Sequence, residues 1–210
     1  MRKNRVSAVL AVGLVVLLSG CLGALFGTGA TFVASEATVA DHESAGFEQN
    51  KTTWINETRT YEAAGQEREV TVSSIANVYF NESVSDGTPR AAFAVVSTPT
   101  VTVAGEPRNP VGEWSDEKII RQFSGELNEY GEIENLTEAG SENETMLGTD
   151  TPVTRFNATV DEGDNETRQV AIRVTTVEHE GDYVLAFGVY DSEDAASAAA
   201  VGDLFTRVEH

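Results

Sequence analysis

Apolar and polar residues alternate over several segments of the chain, and this period of two is typical of β-strands with one buried face. Residues 49–63 and 68–80 alternate in this way and predict two successive strands. Residues 91–105 predict a long strand that is bent, or lies at a sheet edge, at Pro99, because proline cannot donate to a strand ladder. Residues 183–190 are apolar on both faces. We therefore expect this strand in the middle of a sheet that is covered on both sides.

Three other segments predict helices. Residues 38–46 predict a short helix, and residues 115–130 predict a longer one with Ser115 as its N-cap. A last helix begins at Asp191, which we expect to cap it in a capping box with Asp194. Its apolar stripe consists of Val201, Leu204, Phe205 and Val208. Together these elements predict an α+β fold, an antiparallel β-sheet flanked by helices.

The first 26 residues have the composition of an export signal. Three basic residues among the first five precede an apolar run, residues 6–18, which is too short to cross a bilayer core of about 30 Å. The run leads into four residues that resemble the lipobox of lipoprotein signal peptides: Leu18, Ser19, Gly20 and Cys21. This resemblance implies that Cys21, the only cysteine, receives a lipid on its thiol and becomes the new N-terminus after cleavage.

The signal divides the chain into three parts. We expect a lipoprotein signal peptide over residues 1–20, the lipidated cysteine with a tether over residues 21–31, and a single domain over residues 32–210. An alternative stays open, because residues 6–26 are just long enough to span a membrane as an uncleaved anchor. Both interpretations place the domain on the extracytoplasmic face of the cell membrane, since the basic residues stay in the cytoplasm. The export route, general secretory or twin-arginine, also stays open.

The charge balance is strongly acidic. The formal net charge is −20, from 34 acidic and 14 basic residues. Phosphate binding needs clustered lysine and arginine, so this balance argues against a nucleic-acid-binding protein. It is typical of a protein that stays soluble in concentrated salt, where screening shortens charge repulsion to a few ångströms. A single cysteine allows no disulfide within the chain, so the fold must depend on its core.

Several motifs extend this interpretation: the lipobox, SEATVADHES at residues 35–44, MLGTDTPVTRF at 146–156, VTTVEHEGDYVLAFGVYDSED at 174–194, and the closing amphipathic helix. Together they resemble a family of haloarchaeal membrane lipoproteins of unknown function. At the level of fold, the order of strands and helices resembles the PsbP-like α/β/α sandwich. The resemblance implies an archaeal, halophilic source and a layered fold. It implies no active site, because a fold does not set a function.

Few residues suggest chemistry. The three histidines, His42, His179 and His210, have no second histidine or cysteine at metal-ligand spacing, so we expect no metal and no cofactor. His179 stands in the predicted hairpin turn HEGD and is expected to be solvated. A Ser-His-Asp arrangement has no GxSxG elbow to support it. Residues 161–167 predict a hairpin turn, because they lack the residue order of a calcium loop.

Trp114 directly precedes the predicted N-cap. One interpretation is a hydrophobic staple, in which its ring packs on Ile119. The other is an exposed contact for a partner, because tryptophan is frequent at the energetic centre of interfaces.

Seven asparagines lie in the N-x-S/T motif of N-glycosylation, which marks surface positions in exported proteins. They are Asn50, Asn56, Asn81, Asn135, Asn143, Asn157 and Asn165. Their number favours a glycoprotein, and which of them carry a glycan stays open.

These features favour a membrane-anchored extracytoplasmic lipoprotein that is a non-enzymatic binding or accessory module. Its expected partners are the membrane, through the lipid on Cys21, and an unidentified surface protein. The alternative is an extracytoplasmic small-ligand binder or hydrolase that uses carboxylates in a cleft. No residue is assigned a catalytic role.

Overall fold

The computed structural model describes residues 29–63, 66–81, 89–103, 106–107, 109–123, 132–163 and 166–210. The strands are β1 (Gly29–Val33), β2 (Thr38–Val39), β3 (Glu48–Ala63), β4 (Gln66–Asn81), β5 (Ala91–Pro99), β6 (Thr102–Val103), β7 (Glu106–Pro107), β8 (Glu132–Met146), β9 (Thr149–Gly163), β10 (Glu166–His179), β11 (Asp182–Asp191) and β12 (Val208–Glu209). The helices are α1 (Asp116–Phe123) and α2 (Ala195–Thr206), with 3₁₀ turns η1 (His42–Ala45) and η2 (Pro110–Glu113).

The chain forms two compact units. The smaller unit contains residues 57–71 and, among the described residues, 29–32. Within it the hydroxyls of Thr58 and Thr71 lie 2.8 Å apart, and Arg59 pairs with Glu57. The larger unit contains residues 33–56 and 72–210, and it holds the core and the residues of functional interest.

One eight-stranded sheet organises the chain. Its strand order is β1-β4-β5-β11-β10-β9-β8, and β3 also pairs with β4. The pairs from β4 to β8 along this order are antiparallel. All nine residues of β5 are buried, and β11 lies between β5 and β10 with residues 184–190 buried and Tyr183 half-buried. The predicted central position of residues 183–190 is therefore confirmed.

Each face of the larger unit's sheet buries its own apolar cluster. Phe80, Val96, Phe156, Ile172 and Phe187 belong to one cluster, which also contains residues of α1. The other cluster takes the alternate residues of the same strands and packs them against α2. Its members include Tyr79, Phe93, Val184, Val201 and Phe205. This arrangement follows from the period of two along each strand.

The predicted PsbP-like α/β/α sandwich is wrong. The described residues are mostly strand, and their two α-helices have only 8 and 12 residues, too few to form a helical layer on either face of so wide a sheet. Residues 38–46, expected to be helical, form β2 and the 3₁₀ turn η1 instead. Residues 132–146 form strand β8, which has almost no buried side chains and hence no apolar alternation in its sequence.

The two helix N-termini differ in how well the sequence predicts them. Ser115 Oγ accepts the backbone N–H of Lys118 at 3.3 Å, which confirms the predicted cap of α1. The helix α2 begins one turn later than predicted. Its N-cap is Asp194, which accepts the N–H groups of Ala196 and Ser197, whereas Asp191 ends β11 and accepts from Glu193 in a turn. Within the described residues, no helix is long and apolar enough to span a membrane.

Candidate functional site

A polar site lies at the turn between β10 and β11. His210 Nε2 lies 3.0 Å from Asp182 Oδ2, and the His210 side chain is fully buried. His210 Nδ1 lies 3.1 Å from His179 Nδ1. The carboxylate of Glu180 completes a group in which the three ligand atoms lie within 4.8 Å of one another. We call His179, Glu180, Asp182 and His210 the histidine cluster.

The cluster's residues come from two parts of the chain, the β10–β11 hairpin and the residue after β12, and residues 35–39 support both. The pair β12–β2 positions His210, because Val208 lies opposite Val39 and Glu209 opposite Thr38. The β10–β11 hairpin places His179 opposite Asp182 in the strand register. Asp182 Oδ2 also accepts the backbone N–H of Ser35 at 2.7 Å. His179 and His210 are 31 positions apart in sequence, so ligand-spacing patterns could not detect the cluster.

The hydrogen bonds around Asp182 assign the proton on His210. An ionised carboxylate only accepts, so His210 carries its proton on Nε2 and donates it to Asp182. The lone pair of His210 therefore lies on Nδ1, the nitrogen that faces His179. Asp182 therefore determines which nitrogen of His210 carries the proton.

The same assignment argues against a serine nucleophile. Ser97 Oγ lies 3.2 Å from His210 Nε2 and 3.4 Å from Asp182 Oδ2, so a serine, a histidine and an aspartate do meet. In a catalytic triad the histidine uses one nitrogen for the serine and the other for the aspartate. Here a single protonated nitrogen faces both, and Ser97 is completely buried. The arrangement gives Ser97 neither a general base nor access to a substrate.

Glu180 has an unusual backbone conformation. Its φ is 50°, and φ of the following Gly181 is 93°, so both central residues of the predicted HEGD turn adopt positive φ. Two-residue hairpins need this geometry, and asparagine, aspartate or glycine normally supplies it. A glutamate in the left-handed region carries a steric cost that those residues avoid. Leu147 and Gly148 adopt the same pair of positive φ values in the β8–β9 turn, so this conformation belongs to the tight hairpins of the sheet.

A second site, the Trp114 groove, lies on the opposite face of the sheet. It has a volume of 440 Å³. Its walls are Trp114, Ser115, Asp116, Glu117, Leu136, Glu138, Thr154 and Phe156. Trp114 and Asp116 also border an adjoining cavity of 200 Å³, which reaches Glu178 and Tyr183. The volume of the groove lies within the range of small-molecule sites, about 300–1,000 Å³, whereas the adjoining cavity is smaller.

The Trp114 groove combines an aromatic wall with negative charge. Three carboxylates border it, those of Asp116, Glu117 and Glu138. The ammonium of Lys118 lies 4.4 Å from the centroid of the Trp114 ring. Trp114 Nε1 is buried without a hydrogen-bond partner, which is costly for an indole N–H. The Trp114 ring lies 6.4 Å from that of Phe123 and packs against the core cluster that contains Ile119. Trp114 is thus part core residue and part groove wall.

Tyr183, beside the Trp114 groove, and Asp194, at the N-terminus of α2, have shifted pKa values. Burial, and after it the carboxylates of Glu178 and Glu113, raise the pKa of Tyr183, which borders the adjoining cavity. The phenol therefore stays a neutral hydrogen-bond donor near neutral pH. At the start of α2, the pKa of Asp194 is lowered, chiefly by the N–H that Ser197 donates to it. Its charge there favours the helix.

The remaining predicted site residues are scattered. The lipobox, from Leu18 to Cys21, and the acceptor Asn165 lie outside the described residues. Five other glycosylation motifs place an exposed asparagine on a strand: Asn50, Asn56, Asn135, Asn143 and Asn157. Asn81 is only half-buried at the end of β4. These positions are accessible to a transferase, and their occupancy stays a prediction.

Comparison with known families identifies the chain. The family described as "Domain of unknown function (DUF6517)" matches residues 35–209, and the chain belongs to this family. The match spans both the histidine cluster's β10–β11 turn and the Trp114 groove. No curated protein matches the chain.

Proposed function

We propose that this protein is a membrane-anchored, extracytoplasmic lipoprotein of a salt-loving archaeon, and that it serves as a non-enzymatic binding module. Residues 18–21 and the short apolar run before them support the lipid anchor. The net charge of −20 with only three lysines supports the halophilic source. The Trp114 groove is the observation that carries the binding role.

The anchor is tested by Cys21→Ser. We expect the parent chain to be cleaved before Cys21, to carry a lipid mass and to partition with membranes. The variant should appear either in the soluble fraction or as an uncleaved precursor, because serine offers no thiol for the lipid. A variant of unchanged size and unchanged membrane retention would favour the alternative, an anchor formed by residues 6–26.

The proposed occupant of the groove is a protein segment that presents a positive charge beside an apolar side chain. The apolar body would contact Trp114, Leu136 and Phe156, and the charge would face Glu138 and Asp116. Charge complementarity supports this choice, since the carboxylates of Asp116 and Glu138 border the groove and the whole chain is acidic, whereas Glu117 is already paired with Arg121. A partner with a basic contact patch would also be attracted electrostatically, and the range of this attraction decreases as the salt concentration rises.

Intrinsic fluorescence gives a direct assay, because the chain has only two tryptophans and Trp54 is 54% exposed on β3. In a Trp54→Phe background, emission reports on Trp114 alone. We expect lysyl-phenylalanine amide to shift this emission in a saturable way that weakens as salt rises. Glutamyl-phenylalanine amide should have no effect.

A matched pair of variants separates the groove from general charge. Glu138→Gln removes a groove carboxylate, whereas Glu134→Gln removes an exposed carboxylate from the same strand outside the groove. We expect weaker binding of the basic dipeptide only for Glu138→Gln. Equal effects of the two substitutions, or no saturable shift for the parent, would exclude the groove as the binding site.

A small-ligand binder is the second candidate, supported by the adjoining cavity that deepens the groove beside Trp114. The same titration distinguishes it. A small organic cation without a peptide backbone would then bind at least as tightly as the dipeptide amide. A hydrolase using Asp116 and Glu138 would additionally consume its ligand, which product analysis after long incubation detects.

A further inference from the structure

The inference concerns the histidine cluster, which the proposed binding role does not use. We propose that His179, His210 and Glu180 bind a divalent transition metal of the zinc class, with Asp182 as the residue that positions His210. Among the described residues, these three form the one group of histidine, cysteine and acidic side chains whose ligand atoms converge closely enough for a metal.

The distance between the two imidazoles fits a shared metal. Zinc binds histidine nitrogen at about 2.0–2.1 Å, so two nitrogens of one tetrahedral centre lie about 3.3 Å apart. His179 Nδ1 and His210 Nδ1 lie 3.1 Å apart, and the Glu180 carboxylate is within 4.8 Å of both. To bind a metal, the half-buried His179 and the exposed Glu180 would turn so that their ligand atoms converge beside His210 Nδ1. Without metal, one imidazole N–H hydrogen-bonds the other ring.

Asp182 provides the support that metal-binding histidines usually have. Such a histidine donates its second N–H to a carboxylate, which fixes the ring and its tautomer. His210 Nε2 makes this bond to Asp182 at 3.0 Å and leaves the Nδ1 lone pair for the metal. Asp182 is itself held by the N–H of Ser35 and by Ser97 Oγ. The orientation of His210 is therefore fixed before any metal binds.

The place of Glu180 in the turn brings the third ligand to the two histidines. Its positive φ keeps a glutamate at a turn position where asparagine or glycine fits without strain. That position puts a carboxylate next to the half-buried His179 and close to His210. Leu147 has the same positive φ in the β8–β9 turn, so the argument for a ligand rests on the carboxylate that Glu180 brings to the two histidines.

The ligand types select the metal. Two imidazoles and one carboxylate suit zinc and its neighbours in the first transition row, whereas calcium and magnesium prefer sites made of oxygen ligands. Three protein ligands also leave one coordination position for water or another molecule, as at zinc sites that are not purely structural. Excess calcium or magnesium, abundant in salt-rich surroundings, should not compete.

Zinc titration of the full chain tests the site. The protein is purified in detergent without a histidine tag, stripped with chelator, and titrated with Zn²⁺ in competition with a chromophoric chelator. We expect one equivalent to bind, and the unfolding temperature to rise with zinc because the metal binds only the folded chain. A hundredfold excess of Mg²⁺ should leave both results unchanged.

Two histidine variants decide whether the cluster is responsible. His179→Asn changes a half-buried turn residue, so the fold should persist, and we expect the zinc affinity to fall about tenfold or more. His42→Asn is the matched control, because His42 lies outside the cluster and hydrogen-bonds the carbonyl of Phe47. Full binding by the His179 variant, or an equal loss in the His42 variant, would overturn the proposal, as would a parent chain that binds no zinc.

The positioning role of Asp182 needs a readout that folding alone does not change. We expect Asp182→Asn to weaken zinc binding about 10–100-fold, the usual effect of losing such a partner. Nitrogen chemical shifts of the metal-free parent should show His210 protonated on Nε2, and the variant should lose this preference. A parent chain with His210 protonated on Nδ1 would contradict the role, because that tautomer has no lone pair for the metal.

Discussion

The contact between β11 and α2 makes Gly188 a sensitive position. A Cβ at residue 188 would lie 2.3 Å from Val201 Cγ1 and 3.3 Å from Phe93 Cδ2. Carbon atoms pack best at about 3.5–4.0 Å, so Gly188→Ala forces an overlap of more than about 1 Å with a fully buried valine. Well-packed cores do not absorb such an overlap without shifting the backbone or a rotamer.

The expected cost combines two effects. Overpacking of this kind destabilises by about 1–3 kcal/mol. Replacing a strand glycine by alanine recovers about 0.5–1 kcal/mol, because the unfolded chain loses freedom. We therefore expect a net loss of about 1–2 kcal/mol in the free energy of unfolding. For a chain of this size that corresponds to a fall of about 2–8 °C in the unfolding temperature.

The assay is urea unfolding of the full chain in detergent, followed by far-ultraviolet circular dichroism. Val201→Ala provides the control, because it removes the methyl group with which the new Cβ collides. We expect the double variant Gly188→Ala, Val201→Ala to be more stable than the sum of the two single effects by about 1 kcal/mol. Additive losses, or an unchanged single variant, would refute the close packing of α2 on β11.

Two further substitutions test other parts of the larger unit. Asp194→Ala should destabilise by about 0.5–2 kcal/mol at neutral pH, because α2 loses its cap. The pKa of Asp194 is lowered in the folded state, so the difference in unfolding free energy between parent and variant should be full above the unfolded pKa of about 3.9. It should disappear as the pH falls through the folded pKa. Unfolding curves measured from pH 7 to 2 test this. Asn77→Ala should cost about 1–3 kcal/mol in the same assay, because completely buried Asn77 donates to the carbonyl of Ala37 at 2.8 Å and that acceptor would be left unpaired. A loss no larger than that of an exposed Asn50→Ala control would contradict this reasoning.

The sequence predicts those elements whose structure is determined by the composition of the segment itself. Residues 183–190 are apolar on both faces because both faces of β11 are covered, and this composition can be recognised from the sequence alone. Ser115 and the two acids after it mark the start of α1 by purely local chemistry. The glycine at position 188 is visible in the sequence, but the sequence does not show why it is needed. The need arises from the close approach of Val201 in the folded chain.

The failures have a common physical cause. Strand β8 exposes most of its side chains, so it has no apolar period from which to predict it. Asp191 and Asp194 can both cap a helix. Pairing with β10 extends β11 as far as Asp191, so Asp194 becomes the N-cap of α2. The same holds for residues 38–46, where pairing of β2 with β12 replaces the expected helix. Long-range pairing overrides local preference in each case.

The sequence indicates the Trp114 groove better than it indicates the histidine cluster. The two sites lie on opposite faces of the sheet, so the experiments on them are independent. Trp114 could be singled out by type and position, whereas the histidine cluster needs the β12–β2 pair to bring His210 to the β10–β11 turn. Side chains alternate along that hairpin, so Glu178 and Tyr183 border the cavity beside Trp114 while His179 and Asp182 face the opposite side. We therefore expect His179→Asn to leave the dipeptide titration of Trp114 unchanged, and Glu138→Gln to leave zinc binding unchanged. Loss of both activities in either variant would show general damage to the sheet and remove the support for two separate sites.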